Sequence, residues 1–170
     1  AGKISALGAV AAVAREEGRV VIGLGLQNTL VRMLERDTGI PSVTIAKFLW
    51  THGRLLDLRT PPQRLELARA MFKGAILLVD EASMVSNEQA FKLGALAERL
   101  QVGRLAFVGD KRQLGAIDAG KPFEVLQAAG TPTAAVAAGR PPTPPALSRW
   151  GDGAPWPFAF TLAGQRASSV

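Results

Sequence analysis

The chain has 170 residues, of which 48% are hydrophobic and 20% are charged, so it can bury the core of one domain. It has no cysteine and a single histidine, His52, which excludes disulfides, thiolate metal sites and metal clusters built on several histidines. The net charge of +6 is spread without a block of like charge, and no apolar run is long enough to span a bilayer, so we predict a cytoplasmic protein without a membrane span.

Helical patterns alternate with short apolar runs along most of the chain. Apolar residues three and four apart predict helices, and apolar runs bounded by turn residues predict buried strands. We predict helices over 5–17, 28–37, 44–50, 87–100 and 122–129, a further helix opened by Pro61 and Pro62, and strands over 19–25, 75–80 and 104–110. In the helix that the two prolines open, we expect Leu65, Leu67, Ala68 and Met71 to face the core. The alternation predicts an α/β fold with a parallel sheet between two helical layers.

The composition changes near residue 130. Seven of the eleven prolines lie after this point, and proline can neither donate to a sheet ladder nor continue a helix. We therefore predict a folded domain over 1–130 and a disordered Pro/Gly-rich tail over 131–170. A frame change or a truncated gene would explain the change in composition.

Two adjacent acids, Asp80 and Glu81, end the apolar run 76–79. Ligands of parallel α/β sheets bind beyond the carboxyl ends of the strands. There, one acid can hold Mg²⁺ through its hydration shell, and the other can act as the base for attack of water on a γ-phosphate. The alternative is a pair of exposed acids in an ordinary loop.

A second polar motif, Asp110 to Gln113, ends the next apolar run. Gln113 at the same edge of the sheet could sense a γ-phosphate, whereas the alternative is a polar turn before a helix. Two such motifs at this spacing are less often accidental than one.

Gly2 and Lys3 precede an Ala-rich helix. In a phosphate-binding loop, glycine lets backbone amides surround the phosphates, and lysine pairs with their oxygens. The full loop pattern is not present, because Ile4 stands where a Mg²⁺-binding hydroxyl is needed and Ser5 follows one position late.

Together, the segments 80–85 (DEASMV) and 108–123 (VGDKRQLGAIDAGKPF) resemble the superfamily 1 helicase domain of conjugative relaxases, the MobF group, and its RecD-like relatives. Segment 37–49 is also similar to that family, and the resemblance runs from residue 2 to about 130. It implies a RecA-like P-loop ATPase that hydrolyses ATP with Mg²⁺ to move along single-stranded DNA.

The resemblance also implies roles for individual residues. Gly2, Lys3 and Ser5 would bind the nucleotide, Asp80 with Ser5 would hold the metal, Glu81 would be the catalytic base, Asp110 and Gln113 would sense the nucleotide state, and Thr44 and Asn28 would contact the DNA backbone. Phe48 and Trp50 are candidates for stacking on bases, and core packing is the alternative for both, favoured for Phe48.

The sequence departs from this family at both ends. We expect the first strand and most of the phosphate loop to be missing, which would leave a neighbouring strand with an exposed edge. We also expect the second RecA-like domain to be absent. The alternative to an ATPase is therefore a catalytically inert remnant that keeps part of the fold.

Overall fold

The computed structural model describes residues 2–109, 133–137 and 159–165. Within these ranges the strands are β1 Val21–Gly25, β2 Ser42–Thr44, β3 Ile76–Val79, β4 Arg104–Gly109, β5 Thr133–Ala137 and β6 Ala159–Gln165. The helices are α1 Gly2–Glu16, α2 Asn28–Thr38, α3 Ile45–His52, α4 Pro62–Phe72 and α5 Asn87–Arg99. Two 3₁₀ turns, Gly53–Leu56 and Ala82–Met84, complete the described elements.

The strands form one parallel sheet in the order β2-β1-β3-β4-β6-β5. The predicted α/β class with a parallel sheet is confirmed. β2 was not predicted, because three half-buried residues are too few to show a strand pattern in the sequence. The predicted helix over 122–129 lies outside the described residues.

Successive residues of the central strands point to opposite faces of the sheet, and each face has its own core. On one face, Leu77 and Phe107 pack with apolar residues of α3, α4 and α5. On the other, Leu78 and Val108 pack with residues of α1 and α2. The continuous apolar sequence of β3 follows from this burial on both faces, which leaves no strand position for a polar side chain.

The predicted inward face of α4 is wrong in part. Leu65 is buried and Ala68 packs against the core, as expected, but Leu67 and Met71 are exposed. The helix instead turns Leu65, Ala68 and Phe72 toward the sheet, at the i, i+3, i+7 spacing of one helical face. Leu67 lies about 200° around the axis from Leu65, so the two cannot share a face.

β5 and β6 lie within the segment predicted to be a disordered tail. β6 pairs with β4 on one side and with β5 on the other. The exposed strand edge that we expected is therefore not present at β4, because β6 covers it. The rest of the segment lies outside the described residues, and a domain boundary at residue 130 stays a prediction.

Across the described ranges, no helix is both long enough and apolar enough to cross a membrane.

His52, the last residue of α3, is half-buried. Its ring lies 4.8 Å from that of Phe48 and 4.9 Å from that of Phe72, measured between ring centroids. Burial disfavours the charged imidazolium and lowers the pKa of His52 from its ordinary value of 6.5. The unfolded chain, whose histidine keeps its ordinary pKa, therefore binds a proton more readily than the folded chain.

The free energy of unfolding should thus be greatest above pH 6.5 and should fall as the pH drops from 6.5 toward the lowered pKa of the folded state. Urea denaturation at about pH 7.5 and 5.5, comparing the unmodified chain with His52→Leu, measures this effect. The difference in stability between the two chains should change with pH. If the difference in stability between the two chains is the same at both pH values, the pKa of His52 is not lowered by folding.

Candidate active site at the carboxyl edge of the sheet

The carboxyl ends of β1, β2, β3 and β4 lie along one edge of the sheet. Gly25 of β1 is in register with Thr44 of β2, and Leu24 is in register with Val79 of β3. Because Asp80 follows Val79 directly, Thr44, Gly25 and Asp80 lie in one row across three neighbouring strands. Strands are spaced at about 4.8 Å, so the row spans roughly 10 Å.

Asp80 is held in this row by its own backbone. Its N–H donates to the carbonyl of Leu24 at 2.8 Å, which extends the β1–β3 ladder by one residue. Its side-chain Oδ1 accepts a hydrogen bond from the N–H of Glu81 at 2.9 Å. The half-buried carboxylate is therefore oriented by the first turn of the loop that follows it.

Glu81 adopts a left-handed backbone conformation, with φ 51° and ψ 44°. A residue with a side chain pays roughly 1–2 kcal/mol for this conformation, which glycine adopts freely. Strained residues of this kind cluster at functional sites, where the surrounding structure holds them in place. The conformation turns the chain sharply after β3.

The turn after Glu81 packs closely against the end of β4. A Cβ atom added to Gly109 would lie 3.1 Å from the backbone nitrogen of Ser83 and 3.2 Å from that of Ala82. Val85 is fully buried beyond the turn, and Ser86 begins α5 with a capping box that includes Gln89. The acids are thus supported on one side by β4 and on the other by the start of α5.

Ser83 was not singled out by sequence reasoning. Its Oγ is buried and has no hydrogen-bond partner in the part of the chain that the structure describes. An unsatisfied buried hydroxyl is costly and marks a position that needs explanation. No local signal identifies it, because its burial depends on the approach of β4.

The predicted nucleotide-binding residues lie at the start of α1. Gly2, Lys3 and Ser5 belong to the first turns of this helix, and their side chains lie outside the described part of the structure. The short connection from Glu16 to Val21 returns the chain to the amino end of β1. Asp110 and Gln113, the predicted sensors, lie outside the described residues.

The predicted DNA-contacting residues both stand at helix starts on this edge. Asn28 is the exposed first residue of α2. The Oγ1 of Thr44 accepts a hydrogen bond from the N–H of Lys47 at 3.2 Å and so caps α3. Of the two candidate stacking residues, Phe48 is only 3% exposed and belongs to the core, whereas Trp50 is 84% exposed.

The donor set at this edge fits Mg²⁺ held together with a nucleotide. Asp80 and Glu81 supply half-buried carboxylate oxygens, the ligand type that Mg²⁺ prefers. Over the described ranges, no three acidic, histidine or cysteine residues come together as a metal cage. One or two carboxylates, with the remaining ligands coming from water and phosphate, is the usual arrangement for this ion.

Comparison with a family model covers strands β1 to β5 of the sheet. The model of one protein family, described as an AAA domain, matches residues 1–138. The chain is also 31% identical to a conjugal transfer protein, TraA, of Rhizobium radiobacter over 130 residues. This match covers 74% of the chain but 10% of TraA, so the chain spans about a tenth of the length of that curated relative.

Proposed function

This chain belongs to the AAA domain family, and from that premise we propose that the carboxyl edge of its sheet binds ATP with Mg²⁺ and hydrolyses it. The observation that carries the proposal is the pair Asp80 and Glu81 at the end of the buried central strand β3, where a hydrogen bond from the backbone holds the Asp80 carboxylate and Glu81 adopts a left-handed conformation. This arrangement gives two neighbouring carboxylates two separate tasks.

We assign the metal to Asp80 and proton transfer to Glu81. When bound, Mg²⁺ neutralises charge on the phosphate oxygens, and Asp80 holds it at the sheet edge with Ser5 as a second oxygen donor. Glu81 accepts a proton from the attacking water. Gly2 and Lys3 would contact the phosphates from the first turn of α1, and Asp110 and Gln113 would respond to the γ-phosphate.

We further propose that this domain serves a DNA helicase of the conjugative-transfer kind, acting on single-stranded DNA in the cytoplasm. The similarity to TraA, a conjugal transfer protein, supports this proposal. Thr44 and Asn28, at helix starts beside the acids, suit contacts to DNA phosphates rather than base reading. Translocation would require a second RecA-like domain in addition to residues 1–130.

A second candidate is a domain that binds nucleotide without turnover. It is favoured by Ile4, whose apolar side chain stands where the resemblance calls for a Mg²⁺-binding hydroxyl and is exposed in α1. A hydrolysis assay separates the two candidates, because both bind nucleotide and only the first releases phosphate.

The substitution Asp80→Asn tests the nucleotide site. It keeps the side-chain size and removes the charge that attracts Mg²⁺, so we expect the Mg²⁺-dependent affinity for ATP to fall about 10-fold to 100-fold. Titration with a fluorescent N-methylanthraniloyl ATP, with Mg²⁺ and with EDTA, measures this affinity.

Glu98→Gln is the matched control, because Glu98 is an exposed acid on α5 away from the sheet edge. It should bind the nucleotide as the unmodified chain does. Equal affinities for Asp80→Asn and Glu98→Gln in the presence of Mg²⁺ would contradict the placement of the metal at Asp80.

A further inference from the structure

Trp50 is a large aromatic side chain in solvent. It is 84% exposed, in a helix whose other aromatic residue, Phe48, is 3% exposed. The core-facing residues of α3 are Ile45 and Phe48, and Trp50 lies about 200° around the helix axis from Phe48. Its exposure is therefore set by the same periodicity that buries the opposite face.

Cations flank this indole along the helix surface. Lys47 lies three residues before Trp50 within α3, so the two are neighbours on one face of the helix. Arg54 lies four residues after Trp50, in the 3₁₀ turn that follows α3 directly. Both side chains are exposed, and neither forms an ion pair within the described ranges. Over 45–60 the chain carries a third cation, Arg59, and one acid, Asp57, whose carboxylate accepts a hydrogen bond from the N–H of Arg59.

The surface is also continuous with the edge described above. Thr44 caps α3, and Trp50 lies six residues further on, about 9 Å along the helix axis. An exposed aromatic face between two cations is complementary to an unpaired base between two phosphates. A duplex hides its base faces by stacking, so the complementarity favours a single strand.

We propose that Trp50 is a stacking platform for a base of a single-stranded nucleic acid, with Lys47 and Arg54 contacting the flanking phosphates. This inference rests on the proposed function, because it names the residues by which the same domain would hold single-stranded DNA. Stacking tolerates every base, which suits a protein that moves along DNA without reading its sequence.

The test is the affinity of the full chain for a 5′-labelled oligothymidine of about 20 nucleotides, measured by fluorescence anisotropy. Trp50→Ala should weaken binding about 10-fold to 100-fold, the range expected for loss of one stacked base. Trp50→Phe should retain binding to within a few-fold. Phe91→Ala is the matched control, because Phe91 is 76% exposed on α5, and it should bind as the unmodified chain does.

The flanking cations are tested by salt dependence. The double substitution Lys47→Ala and Arg54→Ala should lower the slope of log affinity against log salt concentration by about 1.4, the amount expected for two phosphate contacts on a single strand. Lys92→Ala is the control, because Lys92 pairs with Glu88 on α5, and it should leave the slope unchanged.

Each of the following results would overturn the inference: equal affinity for Trp50→Ala and the unmodified chain, equal affinity for the single strand and a duplex, or no binding of the oligonucleotide at low salt. Sedimentation of the same variants tests whether a second copy of the chain is the occupant. If Trp50→Ala changes only self-association, the occupant is a second copy, and this result also overturns the inference. Binding of the fluorescent ATP, measured on the same samples, tests the proposed function separately.

Discussion

Replacing Glu81 by glutamine should reduce ATP turnover about 100-fold to 10,000-fold and leave the affinity for ATP within a few-fold of the unmodified chain. Glutamine cannot accept the proton of the attacking water, but it keeps the size of the side chain. It also adopts the left-handed conformation at about the same cost as glutamate, so the turn at φ 51° should be retained. Phosphate release in the presence of single-stranded DNA measures turnover, and the fluorescent ATP measures affinity.

The comparison with Glu98→Gln, the same chemical change on α5, separates proton transfer from a general effect of lost charge. Hydrolysis that persists in Glu81→Gln would assign the base to another residue. An unmodified chain that binds ATP and releases no phosphate would instead support the non-hydrolysing candidate, for which Ile4 gives the physical reason.

Strands buried on both faces could be predicted from the sequence because burial leaves a plain signal. In β3 and β4, every residue that meets either helical layer is apolar, so the run is continuous and its polar end stands out. β2 has three half-buried residues and shows no such signal. The buried face of α4 was predicted only in part. Apolar residues occur on both sides of this helix, so either side could face the core, and tertiary packing buries the side with Phe72.

The candidate site shows the same division between local and tertiary information. The adjacency of Asp80 and Glu81 is local, and the sequence places both at a strand end. The left-handed turn at Glu81 and the buried Oγ of Ser83 depend on how the loop meets β4, which no local pattern encodes. In the sequence, Phe48 and Trp50 differ only in their position around the axis of the helix. The core contacts of Ile45 and Phe48 determine which of the two is buried.

The strands β5 and β6 could not be expected from composition. β6 follows a proline-rich segment, and its sequence AFTLAGQ includes a glycine and two alanines, which are depleted in strands. It pairs over five positions with β4 and over five with β5. Backbone hydrogen bonds to two neighbours can outweigh weak intrinsic preference, because strand propensity mostly reflects packing context.

Gly109→Val should destabilise the fold by about 1–3 kcal/mol and weaken ATP turnover by at least about 10-fold. Strand propensity alone predicts the opposite, because valine is among the best strand residues and glycine among the poorest. A close contact makes the change in stability unfavourable. A Cβ at this position would lie 3.1 Å from a backbone nitrogen of the turn that carries the acids, and valine adds two further carbons. The turn must move away from β4, and the carboxylates would move with it.

Gly94→Ala is the control for this change, because, apart from the backbone of its own helix, no atom of the described residues would lie within 4 Å of a Cβ at Gly94. In the interior of α5 it should stabilise the protein by about 1 kcal/mol and leave turnover unchanged. Urea denaturation and phosphate release, measured on both variants, check the two expectations. A Gly109→Val protein that is more stable than the unmodified chain would show that strand propensity wins over the close approach. A variant that loses stability and keeps full turnover would show that the turn can shift without displacing Asp80 and Glu81, and that their positions depend on β3 and α5 rather than on β4.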